Sequence, residues 1–285
     1  MRTIYHMLLI GRPVNELIIF CSVVTAGFLL SDVPPFSTIA IAALGAALVG
    51  GFGNAINDAV DHVSDAVNKP ERPIPSGSLT VVQGYFAAGL HLITGLVLAG
   101  LVNVPCFKIA ALAALMLLGY AFIAKRIPFV ANTWIAYVSA LSFIYAMAIV
   151  DDWQWSQIGL ASAGSVFVFL FHLAREIVKD IEDISGDTAA GIRTFPALVG
   201  IRFAKAVVLV VFALLIAAMI LAYLWLALFP YFLVGALALI AIPLVWTSWL
   251  LVKSSDKSGF YRVQTYLKIL MPLGLLVLLI GRFTN

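Results

Sequence analysis

The sequence predicts an all-α, polytopic membrane protein: a single domain over residues 1–285 with nine transmembrane helices and a cytoplasmic N-terminus. Three observations carry this. Hydrophobic residues make up 63% of the chain and charged residues 11%, against about 45–50% and about 25% in an average soluble domain. Apolar stretches near the length a bilayer-crossing helix needs, about 20 residues, recur along the whole chain. Finally, threading nine spans leaves fifteen of the seventeen Lys and Arg residues on one side, as the positive-inside rule requires.

The first stretch, at about 14–31, follows Arg12-Pro13. That pair interrupts the apolar run, and no small-residue cleavage site follows, so a cleavable signal peptide is not expected. The second, at about 36–57, runs into an acidic cluster. The third, at about 80–102, follows a Pro-rich segment, and the fourth, at about 106–124, ends on Lys125-Arg126. The fifth, at about 131–150, ends on Asp151-Asp152, and the sixth, at about 157–178, leads into a second acidic cluster. The last three lie at about 203–223, 229–252 and 264–282. Only Lys108 and Arg282 fall outside the inner side. The net charge of +3 is too small and too dispersed to track nucleic-acid phosphates, so no nucleic-acid partner is expected. Cys21 and Cys106 lie in apolar runs and read as buried free thiols.

Two inner segments, about 58–79 and 176–202, are longer than the other connections, and each opens with a dense acidic run. In the first, Asn57, Asp61 and Asp65 follow i, i+4, i+8 spacing, and a continuous helix gathers them with Asn54 and Asp58 on one face. In the second, Glu176, Asp180, Asp183 and Asp187 share a face. Asp58, Asp61 and Asp65 map onto Asp180, Asp183 and Asp187 with one offset of 122 residues. Four spans separate equivalent points, so the pattern reads as a parallel pseudo-repeat with motifs at 57–65 and 180–187. Two carboxylates about 6 Å apart repel by roughly 3 kcal/mol at an effective dielectric of about 20. Such a face is tolerable when it lines a wet cavity and is neutralised by cations. A carboxylate set without His or Cys suits a hard ion, with Mg²⁺ favoured. The competing readings are solvated residues beyond the helix ends and a cation pathway in an ion-coupled transporter.

Asn57-Asp58-x-x-Asp61-x-x-x-Asp65 resembles the first aspartate motif of the UbiA superfamily of intramembrane prenyltransferases, and Asp183-x-x-x-Asp187 resembles the second. The stretch Asn68-Lys69-Pro70-Glu71-Arg72-Pro73-Ile74-Pro75-Ser76-Gly77 is similar to the loop after the first motif. The run from Arg175 to Asp183, followed by Gly186-Asp187, is most similar to the digeranylgeranylglyceryl phosphate synthase branch. One position departs from the family pattern: Tyr120 stands five residues before Lys125, where members often have a Tyr four before.

The resemblance implies nine helices around a central cavity and Mg²⁺-dependent transfer of a prenyl group, geranylgeranyl in this branch, from its diphosphate to a membrane-associated acceptor. The favoured acceptor is geranylgeranylglyceryl phosphate, giving an ether lipid and diphosphate; an aromatic quinone precursor or a tetrapyrrole acid is the alternative. Two Mg²⁺ ions are implied, one on Asn57, Asp61 and Asp65 and the other on Asp183 and Asp187. Asp58 and Asp180 would be direct ligands or hydrogen-bonding supports. Arg12, Arg72, Lys125 and Arg126 would bind the diphosphate, and Asp61, Asp183 and Lys125 would carry catalysis. Membrane lipids surround the chain, and the active site faces the cytoplasm from the cell membrane. Phe52, Tyr137, Phe143 and Tyr145 are candidates to shield an allylic cation, and His62 and His172 are candidate proton acceptors.

Overall fold

In the computed structural model, residues 2–30, 32–150, 159–189, 191–226, 228 and 230–283 are described. The helices are α1 (Arg2–Leu9), α2 (Pro13–Phe28), α3 (Phe36–Val60), α4 (His62–Asn68), α5 (Val81–Val102), α6 (Val104–Phe122) and α7 (Val130–Met147). They continue with α8 (Gly159–Ala189), α9 (Phe195–Val199), α10 (Ile201–Trp225), α11 (Pro230–Gly235), α12 (Ile242–Lys253) and α13 (Lys257–Phe283). A π-helical segment, Ala236–Ala241, joins α11 to α12 just before Pro243, whose ring cannot continue a regular ladder. Among the described residues there are no strands. Eight helical segments are long and apolar enough to cross a membrane, and a ninth is formed if α1 and α2, bent by 48°, count as one.

Local chemistry sets the ends. Pro13 opens α2, where its missing N–H costs nothing. Thr80 and Gln83 exchange hydrogen bonds of 3.2 and 2.9 Å across the start of α5, a reciprocal cap. Asn103 accepts the Cys106 N–H at 2.8 Å and donates to the Ala148 carbonyl at 2.9 Å, tying the start of α6 to the end of α7. α3 and α5 pack most closely where Gly45 faces Gly95, each leaving no space for a Cβ beside the other's carbonyl; close backbone approach through small residues is a common membrane-helix interface.

The N-terminal segment is helical, as α1, and the chain bends before α2 at Arg12, a non-glycine residue with φ 59°. Asn54 braces the bend by donating to the Gly11 carbonyl at 2.8 Å. Two expectations are corrected. The acidic run after 176 is no loop: α8 continues to Ala189, and its 31 residues are about 46 Å long at 1.5 Å each, longer than a bilayer core is thick. Nor does the first acidic run lie on one helix, because α3 ends at Val60 and the chain restarts as α4 after Asp61. Asp151 and Asp152 lie outside the described residues.

Candidate active site

The ends of two long helices build the site. α3 carries Asn54, Asn57 and Asp58 on its last two turns; Asp61 stands at the joint, and α4 carries Asp65 and Asn68. α8 carries the second set, Glu176 to Asp187, on one uninterrupted helix. Pro70, Pro73 and Pro75 keep residues 69–79 in turns, and this segment supplies Lys69 and Arg72.

Each set is clasped by cations from elsewhere in the chain. Arg12 pairs with Asp58. Arg72 lies 3.2 Å from Asp58 and 2.6 Å from Asp65, bridging two carboxylates that are almost wholly buried. Lys125 pairs with Asp61 at 2.5 Å. Lys69 crosses to α8, reaching Glu182 at 2.5 Å and lying 3.3 Å from Asp183. Asn132 donates to Asp180 at 2.7 Å, and Asp187 is buried one turn beyond Asp183. Arg126 belongs to the short 3₁₀ turn Ala124–Arg126, and its side chain is outside what the structure describes.

Outside the spans, charge and burial compete. Burial pushes the Asp65 carboxyl above its usual range; Arg72 pulls it down, while Asp58 and Asp61 push it further up. Burial likewise opposes the charges of Lys69 and Arg72. The hydrogen bond to Glu182 and the charge of Asp183 outweigh it for Lys69, and Asp58 and Asp65 outweigh it for Arg72, so both stay above their ordinary values.

Among the described residues, no three His, Cys, Asp or Glu side chains form a ready metal cage. Most of the acids are instead held by Lys or Arg, Asp58 and Asp65 by Arg72, Asp61 by Lys125, and Glu182 and Asp183 by Lys69, because like charges this close separate unless a cation sits between them. The donor set still fits a hard divalent ion. It is all oxygen, and the buried Asn57 Oδ1 has no hydrogen-bond partner among the described residues.

A cavity of about 270 Å³ opens within the bundle and meets the two limbs at Asn54, Asn57 and Glu176. Arg12, Asn54, Asn57, Arg175, Glu176 and Lys179 line its polar part, whereas Ala46, Val49, Ile109, Met219 and Leu275 line an apolar part deeper in the bundle. Of the four aromatic candidates, Tyr145 lines the cavity, Phe52 and Phe143 are buried in packing, and Tyr137 is exposed. His172 and Tyr120 line the cavity, His172 beside Ser139 at 3.2 Å. His62 is exposed, with Nδ1 3.1 Å from the Ala59 carbonyl.

Sequence reasoning gave no binding or catalytic role to three groups at the site, although Glu176, Asn68, Lys69 and Arg175 lie in the stretches it quoted. Asn132 carries no local signal, since it lies in an ordinary apolar helix. Asn68 and Lys69 lie in the Pro-rich stretch, and their tie to α8 depends on tertiary folding. Arg175, Glu176 and Lys179 form a third ion cluster on the cavity wall: Arg175 donates to Glu176 at 2.9 Å, and Lys179 pairs with the other Glu176 oxygen.

The sequence profile of the UbiA prenyltransferase family matches residues 18–270. Digeranylgeranylglyceryl phosphate synthase of Thermococcus kodakarensis is 32% identical over 279 residues, covering 95% of this chain and 96% of that one. The enzyme of the same name from Methanopyrus kandleri is 34% identical, with the same coverage of 95% and 96%. A solved structure from a study of digeranylgeranylglyceryl phosphate synthase in membranes superposes with a TM-score of 0.72 at 26% identity, covering 100% of both chains. A UbiA homologue from Archaeoglobus fulgidus bound to GPP and Mg²⁺ has the same fold, with a TM-score of 0.71 at 18% identity over 96% of this chain and 99% of that one.

Proposed function

Because the chain belongs to the UbiA prenyltransferase family, we propose that it transfers geranylgeranyl from its diphosphate to the free hydroxyl of geranylgeranylglyceryl phosphate. The reaction is Mg²⁺-dependent and occurs at a site open to the cytoplasm. The allylic C–O bond breaks and its electron pair leaves with the diphosphate. The acceptor oxygen bonds to the allylic carbon, and one proton is released with the ether.

The observation that supports this reading is a charged rim joined to an apolar cavity through Arg12: Arg12 lines the cavity beside Asn57 and shares Asp58 with Arg72, while Lys125 and Lys69 hold Asp61, Glu182 and Asp183 on the same acidic sets. A diphosphate head fits the rim and an isoprenoid tail fits the depth. Asn57, Asp61 and Asp65 would hold one Mg²⁺, and Asp183 and Asp187 a second, with Asp58 and Asp180 as nearby acceptors. The ions would neutralise the charge that develops on the leaving diphosphate. Arg12, Arg72 and Lys125 orient the phosphates through charged hydrogen bonds, and Arg126 is assigned to the same rim. The offset of 122 residues supports reading α3–α4 and α8 as equivalent limbs of a parallel pseudo-repeat. The similarity to named synthases over 95% of the chain favours the glycerol-phosphate acceptor over an aromatic ring.

The test is a panel assay in detergent, with labelled geranylgeranyl diphosphate and Mg²⁺ against geranylgeranylglyceryl phosphate, an aromatic acid and a tetrapyrrole acid. Labelled ether from the first alone is the expected result; product from either of the others alone overturns the acceptor assignment.

A further inference from the structure

The ion cluster of Arg175, Glu176 and Lys179 lies outside both metal-ligand sets, yet it forms part of the cavity wall. Glu176 is buried, and its two oxygens hold one cation each: Arg175 on Oε1 at 2.9 Å and Lys179 on Oε2. Two positive groups therefore share one directly bonded carboxylate; the neighbouring Asp180 is hydrogen-bonded to Asn132 instead and forms no ion pair with Lys179 among the described residues. Cationic donors gathered on the wall of an apolar cavity are placed to take an anion. Donors remain for that anion. Lys179 keeps a third of its side chain exposed, at 34%, and the buried Arg175 Nε has no hydrogen-bond partner among the described residues.

The level of the cluster within the bundle identifies the anion. Lys179 and Arg175 precede Asp183 by four and eight residues on one continuous helix, so they stand about 6 and 12 Å deeper at 1.5 Å per residue. A donor whose diphosphate sits at Asp183 and whose tail points inward presents its first carbon at about this depth. The attacking hydroxyl must reach that carbon. On a three-carbon glycerol that also carries a prenyl ether, the free hydroxyl is never more than two carbons from the phosphate ester. The acceptor's own phosphate must therefore lie close to the reacting carbon but away from the donor's diphosphate. Arg12, Lys69, Arg72 and Lys125 are already engaged at the acidic rim.

We propose that Arg175 and Lys179, held side by side by Glu176, form the site for the phosphate monoester of the lipid acceptor. This rests on the glycerol-phosphate acceptor of the preceding section and adds where its phosphate is held. A guanidinium and an ammonium side by side suit a phosphate, offering both forked and point-charge donors. Glu176 is a positioning residue that keeps the two cations together.

The test measures binding of geranylgeranylglyceryl phosphate and of geranylgeranylglycerol to detergent-solubilised protein by titration calorimetry, in chelator and without donor. The unmodified protein is expected to bind the phosphate at least tenfold more tightly than the alcohol. Inorganic phosphate alone should bind at least tenfold more weakly than the lipid, because it has no tail to bury. Lys179→Gln and Arg175→Gln should each weaken the phosphorylated lipid about tenfold and move the alcohol less than twofold, while Lys179→Arg retains most of the preference. In steady-state assays of Lys179→Gln and Arg175→Gln, the acceptor KM should rise and the donor KM stay within twofold, while Lys179→Arg stays near the unmodified acceptor KM. Equal loss for both lipids, inorganic phosphate binding as tightly as the lipid, or a shift confined to the donor KM would overturn the assignment. If the phosphorylated lipid binds as expected but no ether forms on adding donor and Mg²⁺, the transfer reaction fails while the phosphate site stands.

Discussion

Asn68 grips Asp183 by its backbone: Asn68 Nδ2 donates to the Asp183 carbonyl across 2.9 Å, and its Oδ1 accepts the Gly186 N–H at 3.2 Å. One buried amide thereby fastens α4 to α8 and fixes the distance between the two acidic sets. Gly186 leaves the space this needs, since a Cβ there would run into the Asn68 side chain.

Cutting this tie should loosen the whole site. Asn68→Ala removes the two hydrogen bonds to α8, each worth about 0.5–1.5 kcal/mol, and a longer one of 3.4 Å from Lys257. Gly186→Ala overpacks the contact, at about 1–3 kcal/mol. The double variant should cost less than the sum, because the shorter side chain makes room for the added methyl. Thermal unfolding in detergent measures all three, and strictly additive losses would argue that the two residues do not share this contact.

Asp61→Ala and Asp183→Ala should each lower kcat at least roughly hundredfold, about 3 kcal/mol of lost leaving-group stabilisation. Both variants should still insert and run as monodisperse protein, since neither residue is needed to span the bilayer. Turnover near the unmodified rate in either folded variant would remove it from the site.

Lys125 separates a phosphate ligand from a topological anchor. Lys125→Gln should lower kcat/KM for the donor by about 1.5–3 kcal/mol, the cost of a lost charged hydrogen bond, while the acceptor KM changes little. Varying donor and acceptor independently gives the answer; an unchanged donor kcat/KM would leave Lys125 with only its anchoring role.

Transfer should cease in excess chelator and return with added Mg²⁺, as hard-cation oxygen ligands require. Full turnover in chelator, with elemental analysis finding no bound divalent ion, would end the metal assignment.

The depth of the cavity should set donor length. Ala46 lines it eleven residues before Asn57 on α3, about 16 Å away along the helix. Ala46→Phe should shorten the usable channel and shift preference from geranylgeranyl toward geranyl diphosphate. Competition between the two donors reads this directly, and an unaltered preference would mean the tail takes another path.

Much of this architecture was legible because hydropathy and charge act along the chain. The apolar runs located all eight long segments, six of them within a few residues at both ends, but they missed the polar extensions: α8 runs eleven residues past 178 and α13 starts seven before 264. What sequence missed depends on where helices stop and what lies across from them. Spacing alone suggested one helix from Asn54 to Asp65, yet the chain breaks at Asp61; the matching spacing in α8 occurs with no break at all. Acids were legible from their density, but their partners were less so. The pairing of Lys69 with Glu182, 113 residues away, and of Asn132 with Asp180, 48 away, exists only once the helices are packed.

The break at Asp61 has a mechanical counterpart in α8. Glu176, Asp180, Asp183 and Asp187 ride on one unbroken rod and move together or not at all. Asp58, Asp61 and Asp65 are divided across a joint at Asp61, whose backbone, at φ −91° and ψ 10°, departs from helical geometry while its N–H still reaches the Asn57 carbonyl and its own carbonyl still accepts the Asp65 N–H. The two acidic limbs are therefore built differently, one a continuous rod and the other a jointed arm, and the arm is held to the rod by the Asn68 amide on Asp183 and Gly186 and by Lys69 on Glu182, so the spacing of the two sets is fixed on the far side of the joint.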